Sequence, residues 1–364
     1  MTQTKLPEPE TIQRFFQLMR ERGASDLHLS VGRPPALRIG GQLDPVRWRI
    51  LSERDYEALL APLTPPHLWE RFVAKGDVGF AYEVEGLARF RVNLFRHVRG
   101  AGAVLRMIPP KPLTMRQLGL PASVRKIAAL PDGLVLVTGP TGSGKSTTLA
   151  AIVDEINRTR NLHLIAIEEP IEFVHDNLEA MISQREIGTD AETYADALRG
   201  ALREDPDAIL IGELRDPETI EMALTAAEAG ILVFGTLHTR SAGKAIDRII
   251  GELPQRWQDG ARSMLSGVLK GVVAQQLVPR QGGGTVAAYE VLFGSPALGT
   301  LIRERKTGLV DNLIAAGRGA GMIRMDDSLQ ELVLRGSVEP ENAIELAIDR
   351  EAMRKWVAAQ VKKT

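Results

Sequence analysis

The chain has 364 residues, 44% of them hydrophobic and 25% charged, with a formal net charge of −1. That length implies two or three domains, and the near-neutral balance excludes a global basic field that would favour nucleic acid or acidic membrane. With no cysteine at all, disulfides and thiolate metal sites are excluded and an intracellular setting is permitted.

Met1 to Glu10 is polar and proline-rich and has no apolar stretch resembling a signal peptide. Ile12, Phe15, Phe16 and Met19 then fall at i, i+3, i+4 and i+7, one apolar helical stripe ended by Gly23. Asp26 to Val31 alternates with period two, placing Leu27, Leu29 and Val31 on one strand face. Pro34-Pro35 and Gly40-Gly41 punctuate two short strands. Helical stretches follow near Glu53 to Leu60 and His67 to Ala74, then strands near Val78 to Val84, Leu87 to Val98 and Gly102 to Ile108. This order predicts a small α+β domain over 1–108.

Pro109-Pro110-Lys-Pro112 marks an extended connector, and a linker is expected over 109–120. Beyond it, strand-like runs at 133–138, 163–167, 208–211 and 231–236 alternate with helical ones at 146–157, 194–202 and 217–229. That alternation predicts an α/β core with a largely parallel sheet over 121–294. Residues 295–364 read as nearly all helical. The longest apolar runs, such as Leu134 to Val137 and Ala208 to Ile211, are strand-sized, too short to span a membrane. A soluble cytoplasmic protein is the expectation.

Chemistry concentrates in the core. Gly139-Pro-Thr-Gly-Ser-Gly-Lys145-Ser146 follows an apolar strand and opens a helix, which is the context a phosphate-binding P-loop requires. Gly139, Thr141, Gly142, Ser143, Gly144, Lys145, Ser146 and Thr147 are therefore the candidate ATP-binding residues. Lys145 is expected to reach the β and γ phosphates and the Ser146 hydroxyl to sit on Mg²⁺. Ala208 to Ile211 is an apolar strand followed by Gly212 and Glu213, about where a P-loop enzyme places its second, water-mediated Mg²⁺ contact. Taken alone, a strand followed by an acid is common and a solvated turn residue is the default reading; the pairing with the P-loop is what raises Glu213 to a Mg²⁺ contact.

Leu164 to Ile167 is another apolar strand, ending in Glu168 and Glu169. A carboxylate there suits activation of the attacking water, although two solvated charges before the Pro170 turn account for the spacing as well. His238, just after a buried strand, is suited to sensing the γ-phosphate, but a cap or core histidine is the commoner outcome. Arg89, Arg91, Arg96, Arg99 and Arg106 form an arginine set in the first domain. It is either a solvated sheet face or a source of arginine fingers for a neighbour's γ-phosphate, and the latter implies an oligomer.

Together these motifs resemble the type IV pilus and type II secretion ATPases, most closely the twitching-motility retraction (PilT/PilU) class. The likeness rests on Ser25-Asp-Leu-His-Leu, Phe90-Arg-Val-Asn93, Arg99 to Arg106, the P-loop and Ile167-Glu-Glu-Pro-Ile-Glu-Phe-Val-His175. It continues through Ile182 to Glu186, Ala197 to Asp207, Ile211-Gly-Glu-Leu-Arg-Asp216 and Gly235-Thr-Leu-His-Thr239. The resemblance implies a PAS-like N-terminal domain, a RecA-like ATPase domain and a homo-hexameric ring that hydrolyses Mg-ATP at the inner face of the cytoplasmic membrane, acting on an inner-membrane pilus platform protein. It implies that Glu168 is the catalytic glutamate, Glu213 the Walker B glutamate and His238 the histidine-box residue. It also implies that Arg91, Arg99 and Arg106 approach nucleotide across an interface.

The sequence departs from this pattern in three places. Glu169 stands where the family usually has Asp, and Ile231 where it often has His. Gly299 and Thr300 replace Arg and Asn in the helix Ala297 to Glu304 associated with retraction. An accessory, non-retracting paralogue and a secretion or DNA-uptake ATPase are therefore the alternatives. A RecA-like nucleic-acid motor is a lower one, since 5% aromatic content and near-zero charge offer few stacking platforms and no basic stripe, and no nucleic acid is expected as a partner.

Overall fold

A computed structural model describes residues 11–108 and 111–361. Met1 to Glu10 and the first two prolines of the expected linker lie outside the described residues. Two compact units emerge, Met1–Lys111 with Pro170–Val174, and Pro112–Glu169 with His175–Thr364.

The first unit runs α1 (Ile12–Arg22), β1 (Asp26–Ser30), β2 (Ala36–Ile39), β3 (Gln42–Pro45), α2 (Glu53–Leu60), α3 (Pro66–Lys75), β4 (Asp77–Val84), β5 (Ala88–His97) and β6 (Gly100–Ile108). Gly23 ends α1 in the left-handed conformation, where its N–H returns to Arg20. Ser52 and Asp55 cap α2 reciprocally. The six strands form one antiparallel sheet in the order β3-β2-β1-β6-β5-β4. Alternate residues of β1, β5 and β6, among them Leu27, Leu29, Phe90, Val92 and Leu105, are buried with Phe15, Phe16 and Met19 of α1 and Tyr56 and Leu60 of α2. Val31 falls just past the end of β1. The 170–174 segment joins this unit through Arg91, whose Nη1 lies 3.1 Å from Glu172 Oε1, and Arg89, whose Nε donates to the Ile171 carbonyl at 2.9 Å.

The second unit contains α4 (Val124–Ala128), β7 (Gly133–Thr138), α5 (Lys145–Thr159), β8 (His163–Glu168), β9 (Met181–Glu186), α6 (Tyr194–Ala201), β10 (Ala208–Ile211), α7 (Pro217–Glu228) and β11 (Leu232–Leu237). It continues with α8 (Ala242–Glu252), α9 (Gln255–Val268), β12 (Leu269–Pro279) and β13 (Thr285–Phe293). Among the described residues five α-helices follow: α10 (Pro296–Arg303), α11 (Val310–Ala316), α12 (Met325–Leu334), α13 (Pro340–Leu346) and α14 (Arg350–Val361). The sheet order is β13-β12-β7-β11-β10-β8-β9, parallel throughout except that β13 pairs antiparallel with β12.

Central strands are buried on both faces, so they read as unbroken apolar runs. In β7, Leu134 and Leu136 enter a core with α6 to α10, while Val135 and Val137 enter another with α4 and α5. Among the described residues no helix is long and apolar enough to cross a membrane.

Candidate active site

Parallel register brings the chemistry to one edge of the second sheet. Thr138 pairs with Leu237 and Ile167 with Ile211, so the segments after β7, β8, β10 and β11 all begin at the carboxyl ends of the strands. Ligands bind at that edge in open α/β sheets. Four stretches far apart in sequence, the P-loop, Glu168, Glu213 and His238, thus start from adjacent strands.

The P-loop turns on glycines. Gly142 and Gly144 take φ of 78° and 87°, a region that side-chain-bearing residues rarely adopt. A Cβ on Gly139 would drive into the Gln275 carbonyl and lie 2.5 Å from Ser143 Oγ. Thr141 is exposed, Ser146 is exposed in the first turn of α5, and Thr147 beside it is half-buried.

Lys145 is 9% exposed. Its Nζ donates to the carbonyls of Gly139 at 2.9 Å and Pro140 at 3.1 Å and lies 3.2 Å from His238 Nδ1. On its other side His238 presents Nε2 at 3.0 Å from Glu213 Oε1. An ammonium has only donors, so Nδ1 accepts and the imidazole proton sits on Nε2, directed at Glu213. Arg215 Nε lies 2.8 Å from the same carboxylate oxygen. Burial works to raise the Glu213 carboxyl, but hydrogen bonding and charge from Arg215, and then the hydrogen bond from His238, outweigh it and hold the group below its ordinary value. Lys145, His238, Glu213 and Arg215 therefore form one continuous polar chain from the P-loop to the end of β10.

Glu168 ends β8. Its Oε1 accepts from Gln184 Nε2 at 3.2 Å, and the Gln184 Oε1 accepts the His175 N–H at 2.9 Å. The second bond sets which end of the Gln184 amide faces Glu168. Between Glu168 and Glu213 the strands approach closely, since a Cβ on Gly212 would lie 3.0 Å from Tyr194 Oη and 3.2 Å from the Ile167 carbonyl. Burial, then the negative field of Glu169, Glu213 and Glu168, pushes the Tyr194 phenol well above its ordinary range, so it stays protonated beside the acids.

Sequence patterns did not single out Gln184, Tyr194, Arg215, Gln275, or the pair Thr138 and Thr239. Thr138 Oγ1 accepts the Thr239 N–H at 2.9 Å and lies 2.8 Å from the Thr239 carbonyl, tying the P-loop strand to the segment after His238. Apart from Arg215, which lies two residues from Glu213, these contacts join residues well separated along the chain, and polar residues of these types are too common for spacing to reveal them.

The three expected arginines belong to the first unit. Arg91 and Arg106 face each other across the β5–β6 register. Arg106 Nε lies 2.7 Å from Asp26 Oδ1, an aspartate only 2% exposed. Arg99 is exposed in the turn between the two strands, its backbone N–H donating to His97 Nδ1 at 3.2 Å.

Glu290 on β13 is a buried carboxyl that accepts the Ala242 N–H at 2.6 Å, at the start of α8. Burial pushes it up from 4.5 to about 7; Asp311 and Asp326 add to the rise, and the Ala242 and Met325 amides oppose it. Between roughly pH 4.5 and 7 the folded chain keeps a proton that the unfolded chain has lost, so stability falls as pH rises through that window. Glu290→Gln is expected to flatten this part of a melting-temperature profile, removing a dependence of order 3 kcal/mol. An unchanged slope would show that other groups carry it.

Residues 70–339 match the model of the type II/IV secretion system protein family. The chain is 48% identical over 336 residues to the type IV pilus retraction ATPase PilT of Pseudomonas aeruginosa, covering 92% of this chain and 98% of that protein. It is 45% identical to a twitching motility protein of Neisseria gonorrhoeae, covering 88% and 86%. Among solved structures it resembles the pilus retraction motor PilT with bound ADP, with a TM-score of 0.86 and 41% identity over 95% of this chain and all of that one. The chain therefore belongs to the type II/IV secretion system protein family and, within it, to the type IV pilus retraction ATPases.

Proposed function

We propose that the chain is an ATP hydrolase that powers type IV pilus retraction as a homo-hexameric motor. The observation that carries this reading is the Lys145–His238–Glu213 chain at the carboxyl edge of the sheet, with Glu168 ending the strand beside β10. The first unit, a six-stranded sheet with helices on one face, supports the PAS-like assignment over 1–108. The second supports a RecA-like core over 121–294 and a helical region over 295–364.

In this reading the P-loop N–H groups and Lys145 hold the phosphates. Glu168, oriented by Gln184, accepts the proton of the attacking water. His238 couples the γ-phosphate end of the site to Glu213. The hydroxyl of Ser146 and the carboxylate of Glu213 are hard oxygen donors of the kind Mg²⁺ takes, and no cluster of three acidic or histidine side chains competes for the ion among the described residues. Bound there, Mg²⁺ would neutralise charge on the phosphates.

Arg91, Arg99 and Arg106 would reach the nucleotide of an adjacent subunit. Closure around ATP and reopening after phosphate release would drive an inner-membrane platform protein from the cytoplasmic side. Mixing Arg99→Ala and Lys145→Ala subunits tests action in trans, because a ring containing both retains some interfaces with an intact arginine and an intact P-loop. Recovery of ATP turnover above either parent is expected, and none at any ratio would count against the arginine role. In cells, deletion of the gene is expected to leave surfaces over-piliated and non-twitching; bald cells would point to extension instead.

One observation favours an accessory paralogue as the second reading. Gly299 lies so close to α9 that a Cβ would sit 2.8 Å from the Ser266 carbonyl, and Arg303 Nη1 donates to Ser266 Oγ at 2.9 Å. The surface of α10 is thus built without the family's arginine at 299. Steady-state hydrolysis by the purified chain separates an active motor from a non-catalytic partner.

A further inference from the structure

Gln275, near the middle of β12, contacts the P-loop at both of its ends. Its main-chain oxygen occupies the space that a side chain on Gly139 would need. Its side-chain Nε2 donates to the Ser143 carbonyl at 2.6 Å, and its Oε1 accepts from Thr148 Oγ1 at 2.6 Å. A Cβ on Gly144 would lie 2.9 Å from that same Nε2. Gln275, Ser143 and Thr148 are 3%, 4% and 1% exposed, so water does not substitute for these bonds.

The geometry has a direct consequence for phosphate binding. A P-loop works only if successive peptide planes turn their N–H groups inward and their carbonyls outward. Across a planar trans peptide the C=O and N–H point in opposite directions. Fixing the Ser143 carbonyl outward, against a buried amide donor, therefore fixes the direction of the Gly144 N–H. The Thr148 hydroxyl completes the arrangement, because it occupies the Gln275 oxygen and leaves the amide nitrogen to face the loop.

We propose that Gln275 is a positioning residue for nucleotide binding: its side-chain amide, braced by Thr148, sets the peptide plane at Ser143–Gly144 and holds the P-loop in its phosphate-binding form. The proposal rests on the P-loop reading of residues 139–146. Sequence gives no sign of it, since Gln275 is 127 residues from Thr148.

Gln275→Met keeps the length and volume of the side chain and removes both bonds. Titrated with a fluorescent ADP analogue, the full-length variant is expected to bind about tenfold more weakly, with kcat at saturating ATP close to wild type and a melting temperature of the nucleotide-free protein lowered by the two buried groups left unpaired. Gln275→Glu keeps the acceptor for Thr148 but turns a carboxylate oxygen toward the Ser143 carbonyl, and a larger loss is expected. Wild-type affinity in the methionine variant would overturn the proposal. So would weaker binding that merely tracks an equal loss of stability and of kcat.

Should Gln275 variants fail to fold, Thr148 provides the second arm. Thr148→Ser is expected to keep wild-type affinity and Thr148→Val to lose it several-fold, while equal affinity in the two would overturn the role of the brace. Lys145→Ala serves as the reference. If that variant binds the analogue normally, the P-loop reading itself has failed; if it does not, an unimpaired Gln275→Met removes only the positioning role.

Discussion

Lys145→Ala is expected to abolish ATP turnover, with kcat/KM falling by roughly three orders of magnitude or more. The ammonium is the only cationic group on the P-loop, and its donors also satisfy the Gly139 and Pro140 carbonyls and meet His238 Nδ1. Truncation removes the charge that would follow the β and γ phosphates and leaves those acceptors without this partner. His238 also loses the donor that selects its tautomer, so its contact with Glu213 is no longer enforced. Phosphate-release kinetics measure the effect, and residual turnover within tenfold of wild type would show that phosphate is held elsewhere.

Glu168→Gln separates binding from chemistry. The amide keeps the shape of the side chain, and its oxygen still accepts from Gln184 Nε2, so the end of β8 stays as it is. What it loses is the capacity to take a proton from water, a contribution on the order of 10²- to 10⁴-fold in rate. ADP-analogue affinity within a few-fold of wild type and turnover reduced by that factor are expected. Unchanged turnover would move the base to another acid, with Glu169 the next to test.

The local elements were largely legible because their signals are short-range. The stripe Ile12, Phe15, Phe16, Met19 and the Gly23 stop predict α1, and α2 appears over the residues expected. The β7–P-loop–α5 unit follows from glycine spacing after an apolar run. The strands β9, β12 and β13 were not foreseen. Met181 to Glu186 is mostly polar, and Leu269 to Val278 is apolar without alternation, so periodicity does not distinguish a buried strand from the helix α9 that precedes it. That gap matters, because β9 carries Gln184 and β12 carries Gln275.

The arginines illustrate a second limit. Period two places Arg89 and Arg91 on one face, and the structure adds what spacing could not, the facing of Arg91 with Arg106 and the pairing of Arg106 with buried Asp26. Cross-strand register depends on which strands become neighbours, and β1 lies beside β6 although most of the first unit separates them in sequence.

From its sequence alone this protein could be read as a P-loop ATPase with acids at two strand ends and a histidine after a third, since each motif is contiguous and its chemistry follows from residue type and order. Only the tertiary structure decided which side chains work together. Parallel pairing aligns the ends of β7, β8, β10 and β11, so that Lys145, His238 and Glu213 meet over a span of 93 residues. The same pairing sets β12 against β7 and carries Gln275 to the P-loop. Distances of this kind are set by how the sheet closes, which no local pattern encodes.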